Sequence, residues 1–387
     1  MCKCKKNGEA IKWTQTWSMK TPLYAMLILL ATACMPKQSQ SGNEQELCML
    51  VGTYTSGSSK GIYTFRFNQE TGECRTLSSF ELPNPSYLTT STDGKFVYAV
   101  SEMEDTSAAV SALALDKKTG KLQLLNRERT WSAAPCYVAT NGRCVLTANY
   151  SGGTMSVFPL LPNGKVEPVD SLFEGIANGP DPVRQNTPHL HCACFSPDGK
   201  YIFVTDFSSD RILRYVVHPE DAIPYTSAEI TELEAGSGPR HLTFHPKGDK
   251  AYLINELSGK IVAFNYTDGQ LIPIQTITAD TLAARGSADI HVSPDGKYLY
   301  VSNRLKGDGI AIFAINHADG TLAKAGYQPT GKHPRNFNIT PNGKFLLVAC
   351  RDSHCIQIYQ RDETSGLLNR IQPDILIDQP VCIQFVR

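Results

Sequence analysis

Six stretches of this chain repeat one pattern: an alternating strand, a turn ending in glycine, and a second strand rich in Tyr, Val and Phe. They read PSYLTTSTDGKFVYAVSE, PCYVATNGRCVLTANY, HLHCACFSPDGKYIFVTDF, PRHLTFHPKGDKAYLINE, ADIHVSPDGKYLYVSNR and PRNFNITPNGKFLLVACR. Their turn glycines are Gly94, Gly142, Gly199, Gly248, Gly296 and Gly343, spaced 48, 57, 49, 48 and 47 apart. Asp-Gly, Asn-Gly or Lys-Gly between alternating runs is a hairpin signal, because glycine reaches the backbone angles that a tight turn demands. A third alternating strand follows in each unit, at 110–115, 154–158, 212–216, 261–265, 310–315 and 356–360. A weaker fourth comes after a further turn such as Asp268-Gly269 or Asp319-Gly320.

Four strands in a unit of this length make a propeller blade, which buries its faces only against its neighbours. The two ends supply a seventh unit. Val381–Phe385 matches a first strand, while Leu47–Tyr54 and Ile62–Phe67 match a second and third. A tandem of β-sandwiches would not leave complementary half-units at both ends. The sequence therefore predicts an all-β fold, a seven-bladed β-propeller over 47–387, closed by a blade built from both termini. The 29 Gly, 23 Pro, 16 Tyr and 15 Phe suit a turn-rich β protein.

Before the propeller, Leu23 to Ala33 (LYAMLILLATA) is apolar but shorter than the roughly 17–25 residues that span a bilayer. With Lys20 in front and Ala31-Thr32-Ala33-Cys34 behind, residues 1–34 read as a signal peptide region, with translation starting at Met19. The box resembles that of bacterial lipoproteins, with Cys34 the lipidated residue and Ala31 where Leu is usual. Residues 35–46 read as a flexible polar tether. The expectation is a periplasmic, lipid-anchored protein; the alternative is a cytoplasmic one with a long extension. Lys+Arg and Asp+Glu number 37 each, so the chain carries no electrostatic footprint for nucleic acid. Membrane contact is expected through the lipid anchor alone, and the chain is expected to act as a monomer.

A propeller collects the start of each first strand and the end of each second strand at one mouth of its channel, opposite the glycine turns. Eight residues before the glycines stand Ser86, Ala134, His191, Arg240, Ala288 and Arg335; eight after stand Glu102, Tyr150, Phe207, Glu256, Arg304 and Arg351. One step inward come His241, Asp289 and Asn336. Polar strand ends bridging neighbouring blades would explain any one of these residues. Their convergence on one axis is better explained by a site, since clustered arginines repel unless they meet an anion, and their forks suit carboxylate or phosphate. Cys192-x-Cys194 beside His189 and His191 superficially suggests a metal, but strand alternation would put thiols and imidazoles on opposite faces, so none is expected.

The segments ANYSGGTMSVFPL (148–160), PHLHCACFSPDGKYIFVTDFSSDRI (188–212), GPRHLTFHPKGDKAYLINELSGKIVAF (238–264), SADIHVSPDGKYLYVSNR (287–304) and PRNFNITPNGKFLLVACR (334–351) resemble the lactonase-type 6-phosphogluconolactonases, relatives of the fungal carboxymuconate-lactonising enzymes. The resemblance covers essentially all of 47–387. It implies the same propeller and hydrolysis of a sugar δ-lactone to the open acid, with no cofactor and no metal. By motif, His191, Arg240 and Glu256 fall on the catalytic positions. His189, His241, Asp289, His291, Arg304, Arg335 and Asn336 are the substrate-binding candidates. Cys350 departs from the pattern, standing where Asn is common.

The expected chemistry gives water to Glu256 or His191 and the growing oxyanion to Arg240 with His241, while Arg304 and Arg335 hold a phosphate or carboxylate. No G-x-S-x-G nucleophile elbow occurs. Two other readings stay open: a lactonising cycloisomerase at the same mouth, and a periplasmic propeller that binds a ligand or protein through Tyr54, Tyr150 and Phe207 without catalysis. A phosphorylated sugar lactone is a cytosolic metabolite, so export would point to an unphosphorylated one.

Overall fold

The repeated hairpins become seven four-stranded antiparallel sheets in a computed structural model that describes residues 45–218 and 224–386. The signal segment with Cys34, and nearly all of the tether, lie outside the described residues. Blade four shows the plan: Pro239–Phe244, Lys250–Asn255, Lys260–Thr267 and Gln270–Thr278 pair in that order. The first strand of every blade touches the first strands of both neighbouring blades, so the seven inner strands close a ring. All six turn glycines hold positive φ, from 63° at Gly94 to 84° at Gly142, a region costly for residues with a Cβ.

Burial follows position in the sheet. Second strands are covered by the blades on either side; Cys144–Asn149, Tyr298–Asn303 and Phe345–Cys350 are buried at every residue. The outermost strands, such as Leu122–Arg129, mix half-buried with exposed positions, as strands covered on one side do.

Blade seven joins the termini as expected. Pro380–Val386 is the inner strand and pairs with Glu46–Thr53, in the register Met49↔Phe385, Leu50↔Gln384 and Val51↔Ile383. Gly61–Asn68 and Cys74–Glu81 complete the sheet. Met49, Phe67, Ile383 and Phe385 then pack on Phe345 and Leu347 of blade six in one apolar cluster.

Most inner strands carry one irregularity that matters for function. Their pairing slips between Pro135 and Tyr137, Leu190 and Cys192, Pro239 and His241, Ser287 and Ile290, and Pro334 and Asn336. Each slip is a bulge that leaves a residue out of register and breaks the alternation of faces. Two sequence expectations change as a result. Simple alternation puts His189 and His191 together on one face; instead His189 precedes the strand Leu190–Phe195 and His191 is the bulged residue. In blade two the glycine turn is two residues shorter, so counting back from Gly142 to Ala134 overshoots. Cys136 holds the place that His191, Arg240 and Arg335 hold in their own blades.

Closure gives the first prediction. Val381, Ile383, Phe385 and Val386 are buried, and their exposure would cost about 6–12 kcal/mol at about 1.5–3 per side chain. That is comparable to the whole net stability of a typical domain, about 5–15 kcal/mol. Deleting Gln379–Arg387 should therefore abolish a cooperative melting transition and yield aggregated protein, measured by calorimetry and size-exclusion chromatography. An unchanged transition would refute the role of this strand.

Candidate active site

Glu256, one residue past the second strand of blade four, organises the mouth. Its Oε1 accepts from Arg184 Nη2 at 2.9 Å, while its Oε2 lies 3.0 Å from Arg240 Nε and 3.3 Å from Arg304 Nη2. The Arg240 contact is an ion pair bent away from hydrogen-bond geometry. Burial would raise the Glu256 pKa, but Arg304, Arg240 and Arg184 outweigh it and hold the carboxyl at about 2. Backbone carbonyls fix two of the forks: Arg240 Nη1 donates to Ala288 O at 2.6 Å and Arg304 Nε to Gly286 O at 2.8 Å. Burial is also the main force drawing Arg304 down to about 9, against the pull of Glu256.

Across the mouth, Arg335 lies 3.6 Å from Glu102 and over the ring of Tyr54, whose hydroxyl donates to Glu102 at 3.1 Å. Arg184, Arg240, Arg304 and Arg335 thus face Glu256 and Glu102, leaving cationic charge in surplus. An anionic group would complete the balance.

The histidines beside these arginines are neutral. His191 is 4% exposed, with its ring edge-on to Tyr150 and to His241 and its Nδ1 3.7 Å from Cys136 Sγ. Burial first, then Arg240, His241 and Arg335, hold its pKa well below the ordinary value. His241 Nδ1 lies 2.8 Å from Asp289 Oδ1, which places the proton there, and its Nε2 accepts from Arg240 Nη1 at 3.4 Å. Burial, then Arg240, lower its pKa to about 4. His189 stacks flat on Tyr150 and bonds the Tyr150 carbonyl through Nδ1 at 2.8 Å.

The structure therefore brings His189, His191, Arg240, His241, Glu256, Arg304 and Arg335 together. Asp289, His291 and Asn336 form a bonded layer around the Asp289 carboxylate, which also takes His291 Nε2 at 3.0 Å and the Asn336 amide. Asn336 Oδ1 also accepts from the Ile383 N–H, and the layer reaches the mouth through the bond between Asp289 and His241. Arg351 turns aside to Asp352, 2.6 Å away. Among the described residues, no three or more His, Cys, Asp or Glu side chains assemble as a metal site would require. Sequence reasoning missed Arg184 because it lies outside the repeat. Its signal was the 57-residue spacing between Gly142 and Gly199, the longest of the five, which holds the extra loop that carries it.

Neutral buried histidine makes stability depend on pH. The unfolded chain protonates His241 near its ordinary value of 6.5 and the folded chain only near about 4. The histidine's contribution is complete above 6.5 and is lost as pH falls toward 4, on the order of 3 kcal/mol in all. Glu256 adds a second loss between its ordinary value of 4.5 and about 2. Thermal melts from pH 7 to 4 should show a falling Tm in the parent protein and a flatter profile in His241→Gln. Parallel profiles would overturn the protonation assignment.

Comparison with known proteins places this geometry. The family model for the lactonase seven-bladed β-propeller matches residues 48–385. A 6-phosphogluconolactonase of Formosa agariphila is 35% identical over 87% of this chain and 98% of its own length. That of Bacillus subtilis is 34% identical over 87% and 97%. A Bacteroides uniformis crystal structure, described as a candidate 6-phosphogluconolactonase, superposes with TM-score 0.88 at 70% identity, covering 88% of this chain and all of that one. A periplasmic gluconolactonase of Pseudomonas aeruginosa superposes at 0.83 with 32% identity, covering 88% and 99%.

Proposed function

The chain belongs to the lactonase family of seven-bladed β-propellers, and we propose that it hydrolyses a sugar δ-lactone bearing an anionic group, of the 6-phosphogluconolactone kind, to the open acid. The observation that carries the reading is the surplus of buried guanidinium charge around Glu256, set beside a neutral imidazole. Relatives named as 6-phosphogluconolactonases across nearly their full length support the same chemistry.

Water must attack the ester carbonyl, lose a proton, and leave negative charge on the carbonyl oxygen. A carboxylate held at about 2 by three arginines is a weak base, so Glu256 serves by holding those arginines in place. His191 is neutral and edged by aromatic rings, and it takes the proton from water. Arg240 and Arg304, fixed by backbone carbonyls, face the developing oxyanion. His241 contributes through Arg240, because its only N–H points to Asp289. Returning the proton from His191 to the ring oxygen as the C–O bond breaks completes the opening. Arg184 and Arg335 then take the phosphate or carboxylate of the substrate.

A panel of phosphorylated and plain sugar δ-lactones, assayed with and without chelator, tests this reading. Hydrolysis of the anionic members, unaffected by chelation, is the expected result; inactivity throughout would favour a binding propeller. His191→Asn should keep the fold and lower kcat by roughly 10²–10⁴-fold, the usual size of a lost general base. Near-normal turnover would remove His191 from that role.

We also propose export with a lipid anchor at Cys34, supported by the apolar segment at 23–33 and its box. Membrane fractionation should recover the parent chain in the membrane pellet and Cys34→Ser in the soluble fraction. Soluble parent protein would overturn the anchor.

A further inference from the structure

Cys350 ends the second strand of blade six and Cys355 begins the third, with a four-residue hairpin between them. The register sets them directly opposite one another. Opposed residues in an antiparallel pair have Cα atoms about 4.5–5.5 Å apart, inside the roughly 4.4–6.8 Å that a disulfide spans. Of the other seven free cysteines among the described residues, Cys48 faces Arg66, Cys74 faces Phe67, Cys144 faces Pro159, Cys192 faces Thr205, Cys194 faces Phe203 and Cys382 faces Gly52, while Cys136 sits in a bulge with no residue opposite.

Two other blades use this position to link their second and third strands. In blade two the opposed pair is Asn149 and Thr154, joined by a hydrogen bond of 2.9 Å. In blade three it is Asp206 and Arg211, joined as an ion pair at 3.1 Å. Each link ties the second strand to the third at the mouth end of the blade. Blade six has two thiols there, which as thiols make weak hydrogen bonds at best.

The hairpin they flank leads to the active site. Asp352 lies 3.4 Å from His333, whose Nε2 lies 3.3 Å from Arg304 Nη1, and Arg304 in turn holds Glu256.

We propose that Cys350 and Cys355 form a disulfide that staples the blade-six hairpin at the rim of the mouth when the chain meets an oxidising compartment. The oxidant is a small-molecule or protein disulfide. Both cysteines are buried, Cys355 the less deeply, 5% exposed against 0% for Cys350. The Cys355 thiolate attacks one sulfur of the oxidant and releases the first thiol, which carries away the Cys355 proton. Cys350 then attacks the mixed disulfide, gives up its own proton, and releases the second thiol. Two protein thiols are oxidised and one external disulfide is reduced to two thiols. The contact between the pair favours this order: it draws the Cys355 thiol below its ordinary pKa and pushes Cys350 above.

The full chain, purified reduced, is equilibrated in glutathione buffers from reducing to oxidising, quenched by alkylation, and mapped by mass spectrometry after trypsin. Cleavage follows Arg351, so the oxidised form should run as Phe345–Arg351 joined to Asp352–Arg361, lighter by two hydrogens than the separate thiol peptides together. The linked species should rise as the buffer becomes oxidising and vanish on reduction. Cys355→Ser should leave Cys350 alkylated throughout, and oxidation should raise the Tm of the parent protein. Alkylation of both cysteines across the whole series, or linkage of either one to a different cysteine, overturns the proposal; the parent protein alone decides this, whether or not the variant folds.

Discussion

The arrangement at the mouth depends on one carboxylate that holds two guanidiniums out of water and pairs with a third, that of Arg184, at the rim. Arg240 is 1% exposed and Arg304 5%, and each would repel the other strongly at this depth without Glu256 between them. Leaving such a buried charge unpaired typically costs about 3–5 kcal/mol. The ring geometry makes the arrangement attainable. Glu256 and Arg240 come from one hairpin, Arg304 from the next blade, and Arg184 from a loop two blades back, so the site exists only once the blades are assembled. The closing strand Pro380–Val386 therefore bears on chemistry as well as on stability, since its Ile383 N–H also anchors Asn336, which holds Asp289.

A regular inner strand could not have built this mouth. With strict alternation Arg240 and His241 would point to opposite faces. The bulge lets both approach the site, so that Arg240 Nη1 reaches His241 Nε2. The same device in blades three and six delivers His191 and Arg335. In most blades what is bulged is the start of the inner strand, where the next blade must also be entered, and Arg240 there bonds the Ala288 carbonyl of blade five.

This division explains what could be read from the chain beforehand. The blades were legible because a glycine turn at positive φ and a two-residue alternation leave direct marks in sequence. So was the pairing of Arg240 with Glu256, because the two lie symmetrically about Gly248. The bulges leave no such mark, so it could not be read beforehand that His191, Arg240 and Arg335 stand out of register. Cys136 was missed because a shorter turn shifted the count, and Arg184 because its loop belongs to no repeat. Asp289, His291 and Asn336 were identified as polar and near the axis, but whether a polar residue faces substrate or another side chain is a three-dimensional fact that no spacing encodes.

The charge surplus also bears on how the imidazole works. Arg240 and Arg335 are among the forces that depress His191. An anion bound between the arginines screens that influence, and the depression relaxes toward the ordinary value. In the proposed mechanism His191 would thus be a weaker base in the free protein and a stronger one in the complex, where proton transfer is needed. Glu256 works in the opposite sense: it already neutralises part of the cationic field, so the fraction left for substrate is what the carboxylates do not claim. Were Glu256 absent, the arginines would bind an anion more tightly but lose the alignment that aims Arg240 and Arg304 at the carbonyl oxygen. Affinity for the ground state would then rise without a matching gain at the transition state, which slows turnover. The carboxylate at the centre of the mouth is best understood as the group that keeps the arginines partly satisfied and correctly aimed.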